Sequence, residues 1–315
     1  MSDASRMALL VGMTLLVLAC CPWMGPELAG PKAAFVFWEL RVPRVLMGAL
    51  VGASLGVSGA AVQALLHNPL ASPSTLGTTA GASLGALVAI LTFGNASLWG
   101  LSAVTVSAFL GAGVVSLMLV GLAVQGRART EDILLLGVGI ALAASAITMG
   151  LHLRADLLET TQAVRWALGS LAQVGYRGVT LTGPILVACT LVLCSLARPL
   201  ETLIGGEDRA RTQGVDVSQL RLVILLAVSL SVGTAVAWCG PIGFVGLVVP
   251  HLVRLGWTAR RRVLLPASAL LGSALLTLCD AGARAAGDIP VGVVTSAIGA
   301  PMLIWLILRR RTPDA

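Results

Sequence analysis

Residues 221–239 read RLVILLAVSLSVGTAVAWC: one arginine, then eighteen positions without a charged side chain. A helix needs about 20 mainly apolar residues to cross the roughly 30 Å hydrocarbon core of a bilayer, and this run has that length and composition. A closed barrel is the other structure that satisfies every backbone group in lipid, but barrel strands alternate apolar and polar positions and this run does not. Residues 221–239 are therefore predicted to be a membrane-spanning helix. The stretch that follows, GPIGFVGLVVPHLVRLG over 240–256, is also apolar but carries Pro241, Gly243 and Pro250. It predicts a short, broken span.

Working outward, apolar runs between breaker residues predict about ten spans, over 7–25, 44–66, 78–93, 99–124, 131–152, 178–197, 221–239, 243–255, 263–283 and 291–308. The composition agrees. The chain is 57% hydrophobic and only 11% charged, with a mean hydropathy of +0.94. A soluble domain carries about 25% charged residues. The fold class is all-α, a polytopic helical bundle forming a single transmembrane domain over 1–315. Arg6 and the apolar run to Cys21 have the outline of a signal peptide, but the run is long enough to cross and is expected to be an uncleaved first span. With the amino terminus inside, 14 of the 21 basic residues fall on the cytoplasmic side and 7 outside, so both termini are expected to be cytoplasmic. The net charge of +7 is then the mark of basic cytoplasmic loops, and no nucleic-acid partner is expected.

Several chemistries find no residues to carry them. The single lysine, Lys32, sits in no phosphate-cradling Gly-x-x-x-x-Gly-Lys-Ser/Thr motif, so any ATP hydrolysis must belong to another subunit. The fourteen acids map to loops or span ends, Asp280 coming nearest to a span interior. Carriers coupled to protons usually keep a carboxylate within the membrane. The histidines His67, His152 and His251 and the six cysteines lack metal-ligand spacing, so packing or capping roles for the histidines, packing roles for the cysteines, no metal, no cofactor and no enzymatic activity are expected. Gly52, Gly56 and Gly59, then Gly77, Gly81 and Gly85, recur at helical spacing and suit close helix packing in lipid. Asn68-Pro69 stops a helix, and Pro73, Gly77 and Pro250 keep neighbouring segments irregular. Such breaks either line a path or simply end helices at the cytoplasmic face, and both readings stay open here.

Three stretches together resemble the permeases of ABC importers for siderophore–iron, haem and cobalamin. The first is Arg41-Val42-Pro43-Arg44, then Gln63-Ala64-Leu65-Leu66-His67-Asn68-Pro69-Leu70-Ala71-Ser72-Pro73. The second runs from Gly240-Pro241-Ile242-Gly243-Phe244 to Pro250-His251, and the third is Ile289-Pro290-Val291-Gly292, followed by Ile298-Gly299-Ala300-Pro301. Order and spacing match over nearly the whole chain. The resemblance implies ten helices per permease, a homodimer of identical chains around a central path, two ABC ATPase subunits on the cytoplasmic side, one substrate-binding protein outside, and a bacterial inner-membrane location. It puts an iron complex first as cargo, with haem, cobalamin or an oxyanion as alternatives. A stand-alone secondary carrier is the reading from a different class.

The polar stretch 198–221 holds a short cytoplasmic helix, with Glu207 and Asp208 at its start and Gly214 as its cap. In the family this loop carries the helices that seat in the ATPase. Gly206, Glu207, Ala210 and Gly214 fit its pattern, while Gln213 replaces the usual leucine. The family's binding-protein docking arginines correspond to Arg41, Arg44 and Arg284, although the segment from Asp280 to Pro290 is a few residues shorter here. Its pathway or inner gate falls at Gln63, Asn68, Pro69, Pro250, Thr130 and Glu131. Headgroup snorkelling is the alternative for the arginines.

Overall fold

The computed structural model describes residues 3–26, 30–94, 96–98, 100–124, 130–172, 174–257 and 260–310. In chain order the helices are α1 (Asp3–Cys20), α2 (Ala33–Phe35), α3 (Val42–Leu65), α4 (Thr78–Phe93), α5 (Ala103–Val124), α6 (Thr130–His152) and α7 (Leu157–Ala167). They continue with α8 (Gly175–Ser195), α9 (Ala197–Leu203), α10 (Glu207–Thr212), α11 (Val217–Cys239), α12 (Val245–Gly256), α13 (Arg261–Ala285) and α14 (Val291–Arg310). A π-helical turn, Val36–Arg41, joins α2 to α3. A two-residue antiparallel pairing, Ser97 with Ser102 and Leu98 with Leu101, tightens the turn before α5.

Each predicted span has its helix: α1, α3, α4, α5, α6, α8, α11, α12, α13 and α14. Seven are long and apolar enough to cross a bilayer, while Thr78–Phe93, Val245–Gly256 and Val291–Trp305 are shorter. Helix α7 was not anticipated as an element. It is amphipathic rather than apolar, and it starts from a capping box in which Glu159 N–H donates to Asp156 Oδ1 at 2.7 Å and Asp156 N–H to Glu159 Oε2 at 2.9 Å.

Helix α3 forms the axis of the bundle and is buried along most of its length. Its glycines permit this. A Cβ on Gly52 would collide with the carbonyl of Gly272 in α13, one on Gly56 with that of Ser268, and one on Gly59 with that of Gly246 in α12. Between α4 and α5 the same relation holds for Gly81 with Gly111 and Gly85 with Ser107. In lipid no apolar surface is withdrawn from water when helices meet, so backbone proximity and interhelical hydrogen bonds supply the attraction. The hydroxyls of Ser54 and Ser231 pair between α3 and α11 on this basis.

Contacts sort the loops onto two ends. At one end Trp257 Nε1 donates to Asp3 Oδ1 at 2.9 Å, His67 Nε2 lies 3.0 Å from the Leu203 carbonyl, and Arg262 meets Glu201 at 3.9 Å. At the other, Ser170 N–H donates to the Cys239 carbonyl at 2.7 Å and Gly292 N–H to that of Gly169 at 3.3 Å. The first end collects the loops assigned to the cytoplasm by their charge. Gly52→Val is expected to destabilise the bundle by about 1–3 kcal/mol, as overpacking does. Gly12→Val, at a position with nothing within 4 Å, should leave the unfolding midpoint in detergent unchanged; equal midpoints for the two variants would contradict the packing account.

Candidate functional site

Helix α11 ends where Gly240 turns left-handed (φ +68), its N–H still bonded to the Val236 carbonyl at 2.8 Å. Residues 240–243 then run without helical structure to Phe244, the left-handed N-cap (φ +66) of α12. The beginning of α12 lies inside the bundle. A Cβ on Gly246 would sit 2.8 Å from Pro73 Cδ and 3.0 Å from the Leu55 carbonyl in the second half of α3. The segment 66–77 thus starts at the end of the bundle, where His67 and Leu70 are exposed, and its Pro73 reaches the start of α12 inside the bundle.

Pro250 explains part of this joint. It has no N–H, so the Gly246 carbonyl loses its helical donor. Gln63 of α3 replaces it: its Nε2 lies 3.5 Å from the Gly246 carbonyl and donates to that of Leu247 at 3.3 Å. Gln63 Oε1 in turn accepts from Arg254 Nη2 at 2.5 Å, so one buried amide fastens both ends of α12 to α3. On the other side Phe244 rests against α14, where a Cβ on Gly299 would overlap the phenyl ring.

Helix α3 closes with a Schellman turn: Asn68 N–H reaches the Gln63 carbonyl at 3.2 Å and His67 N–H that of Ala64 at 3.4 Å. His67 takes the left-handed position (φ +47) that glycine usually fills, and its ring reaches the last residue of α9. Asn68 Oδ1 accepts from Leu70 N–H at 2.9 Å across Pro69. Thr130 and Glu131 open α6, and their side chains lie outside the described residues.

Helix α10 begins at Gly206 (φ +103) and ends at Gly214 (φ +79). Val215 N–H bonds the Ala210 carbonyl and Gly214 N–H that of Arg211, both at 3.0 Å, the cap expected of Gly214. Ala210 is fully buried and packs into its own chain. Glu207 meets Arg221 of α11 at 2.7 Å and Arg211 at 3.6 Å. The surface this end offers is made instead by Ile204, which is 45% exposed, with Asp208, Arg209, Arg211, Thr212 and Gln213.

At the opposite end Arg41, Arg44 and Arg284 come together and are nearly buried, so headgroup snorkelling does not describe them. Arg44 Nε lies 2.9 Å from both oxygens of Asp280, and its Nη1 donates to Asp288 Oδ1 at 2.7 Å. Arg284 Nε is 3.5 Å from Asp280 Oδ2, and its Nη2 donates to the Cys21 carbonyl at 2.8 Å. Arg41 holds the carbonyls of Pro22 at 3.2 Å and Pro26 at 2.5 Å. Asp280 is 1% exposed, and a buried carboxylate persists only when paired and hydrogen-bonded. Among the described residues no group of three His, Cys, Asp or Glu is placed to hold a metal ion.

The sequence profile of the FecCD transport family matches residues 7–309. The chain belongs to the FecCD transport family. A relative from Vibrio cholerae, named vitamin B12 import system permease protein BtuC, is 39% identical over 312 residues, covering 96% of this chain and 93% of the relative. One of the same name from Escherichia coli O9:H4 is 37% identical over 97% of this chain and 94% of its own length. Another, from Vibrio parahaemolyticus, is 40% identical over 206 residues, 62% of its length. A metal-chelate-type ABC transporter solved in an inward-facing conformation superposes with a TM-score of 0.86 at 27% identity, over 98% of this chain and 99% of that one. PsaBC from Streptococcus pneumoniae shares the fold at a TM-score of 0.54 and 18% identity, over 84% and 89% of the two chains.

This FecCD chain is thus a multi-pass membrane permease of the bacterial ABC-importer type. Sequence reasoning reached the positions of its motifs but missed their partners. Asp280, Asp288, Arg254 and Phe244 each complete a structure seen from one side only. Two of them gave a signal: Asp280 as the acid nearest a span interior, and Phe244 as a bulky residue among glycines at a helix start. Neutralising Asp280 (Asp280→Asn) leaves buried guanidinium groups without their shared acceptor and should cost about 3–5 kcal/mol. Arg44→Met with Asp280→Leu should lose less than the two single changes summed, read from unfolding midpoints; strict additivity would mean that the pair does not interact.

Proposed function

We propose that this permease is one of two identical chains that enclose a central path for a corrinoid of the cobalamin class, driven by separate ATPase subunits. The substrate class rests on the relatives named for vitamin B12 import. It displaces the iron complex that the sequence put first and takes up what was there the alternative. Selection falls mostly to a soluble binding protein outside the membrane.

The observation that carries the mechanism is the joint between α3, Pro73 and the start of α12 inside the bundle. Pro73, Gln63 and the start of α12 meet there, and the chain leading to Pro73 is tied through His67 to the end of α9. Helices α9 and α10 are the segment we assign to ATPase coupling, with Gly206 and Gly214 shaping it, Glu207 and Ala210 bracing it on α11 and the core, and Gln213 on its exposed side. Movement imposed on α9–α10 by ATP-driven closure of the ATPases would then reach the broken segments through His67 and Leu203. Gln63, Asn68, Pro69 and Pro250 act here as positioning residues for the gate, with Thr130 and Glu131 as its inner lip. A contact made in one state and lost in the other is what allows ATP binding to shift the gate's equilibrium.

Outside, Arg41, Arg44 and Arg284 form the positive centre that we assign to binding-protein docking. A guanidinium can hold a carboxylate through two parallel hydrogen bonds, and complementary charge mainly speeds association.

Reconstituted with its ATPase and binding protein, the permease is expected to import cobalamin in an ATP-dependent manner and to leave ferric siderophores outside. Uptake by the permease alone would select the secondary-carrier reading. Ile204→Glu, on the exposed side of the α9–α10 turn, should lower binding-protein-stimulated ATP hydrolysis about tenfold, as loss of an interface anchor does, without moving the unfolding midpoint. Full stimulation in that variant would remove α9–α10 from the coupling role.

A further inference from the structure

The arginines assigned to docking are covered in this chain. Arg44 is 8% exposed, and its two carboxylate partners differ. Asp280 lies beneath it and is buried, whereas Asp288, at 2.7 Å from Nη1, has a side chain 60% exposed. The group lying on the outward face of Arg44 is therefore a carboxylate of the chain itself. Three arginines and two aspartates give the cluster one net positive charge, and two when Asp288 withdraws. An arriving carboxylate would restore the count, so the exchange replaces one ion pair with another of the same chemistry. Arg284 Nε and Nη1 are buried with no hydrogen-bond acceptor among the described residues, which gives the cluster donors that an arriving carboxylate could satisfy.

The backbone that carries Asp288 is unusual. Helix α13 ends with Gly287 left-handed (φ +97), and Asp288 is left-handed as well (φ +60). Aspartate is among the few residues other than glycine that tolerate this region. The Ala283 carbonyl, which a simple Schellman turn would give to residue 288, is bonded instead by Ile289 N–H at 3.1 Å. Two residues later α14 begins at Val291. A Cβ on Gly292 would strike the Leu168 carbonyl and lie 3.2 Å from that of Pro241, and Gly299 packs on Phe244. An unbroken line of contacts thus runs from Arg44 through Asp288 and the turn to α14 and the broken segment 240–244.

We propose that Asp288 is an internal stand-in for a carboxylate of the binding protein: it occupies Arg44 in the undocked permease, is displaced on docking, and its release frees the turn that positions α14. This rests on the docking reading above. It makes the outer face a competition between an intramolecular acid and an acidic patch on the partner, and it gives docking a route to the path that does not pass through the ATPases.

The test uses the assembled transporter in detergent and its loaded binding protein, with Asp288→Asn as the main variant. Asparagine keeps the shape and the tolerance of a left-handed backbone and removes the charge. Affinity for the binding protein is expected to rise about two- to fivefold at low salt, the range of an exposed ion pair, and basal ATP hydrolysis to rise with it. In an Arg44→Gln background the gain should vanish. Asp288→Gly, which lacks both carboxylate and backbone constraint, should show the same gain and covers the case in which Asp288→Asn assembles poorly. If Arg44→Gln weakens docking while both Asp288 variants leave it unchanged or weaker, the stand-in is overturned and the docking reading stands. If Arg44→Gln leaves affinity unchanged, the docking reading itself fails.

Discussion

A backbone carbonyl at membrane depth has no water to turn to, and leaving it unpaired costs several kcal/mol. This chain breaks two helices inside the bundle, so it must supply partners there from its own side chains. Pro250 removes the donor for Gly246, and Gln63, in the last turn of α3, supplies another. The amide can reach only because Gly59 lets α3 approach the Gly246 carbonyl without a side chain between them. The proline inside α12 that removes one donor, the glycine that admits the helix and the glutamine that satisfies the freed carbonyl form one device. Its consequence is a helix whose ladder lacks one bond at Pro250 and is completed by a side chain of α3.

The same economy shapes the two ends of the bundle. At the α9–α10 end the His67 ring and a carbonyl connect the coupling segment to the turn after α3, and Glu207 braces α10 against α11 through Arg221. At the other end four charged groups, Arg41, Arg44, Arg284 and Asp280, are drawn below the surface, with Asp288 exposed beside them. Charges of that kind add little net stability over well-packed apolar residues, so their presence is better explained by what they position: the ends of α1 and α13 and the start of α3. The two ends are built differently because their work differs. One must transmit displacement, which suits short hydrogen-bonded links, and the other must accept and release a charged partner.

How much of this was legible in the sequence follows from which interactions are local. Ten spans were readable because apolar length is a property of consecutive residues, and Gly214 was readable as a cap because a left-handed C-terminal turn is a local demand. Helix α7 was missed because it is too polar to register as a span, although Asp156 and Glu159 stood at capping-box spacing. His67 was read as a packing or capping histidine, and it does cap α3, but its left-handed backbone and its partner were not visible. Nothing local marks a non-glycine residue as left-handed, and its partner Leu203 lies 136 positions away. Arg44 was found from its motif, but its acceptor Asp280 is 236 positions distant. The sequence therefore placed Arg44 at the end of the bundle away from the α9–α10 loop and could not say that it is buried.

That last gap changes how the outer arginines should be understood. Read from position alone, three basic residues at the outer ends of spans suggest an open positive patch waiting for an acid. In the folded chain the buried aspartate neutralises part of that charge permanently and the exposed one does so reversibly. A fully open cluster of three arginines would attract any anion, lipid phosphate included, with little discrimination. A cluster already satisfied by Asp288 yields only to a partner that brings carboxylates in the right geometry, because a weaker or poorly oriented anion gains less than the internal pair gives up. Specificity is a difference between affinities, and here an internal competitor sets the threshold that an outside ligand must exceed.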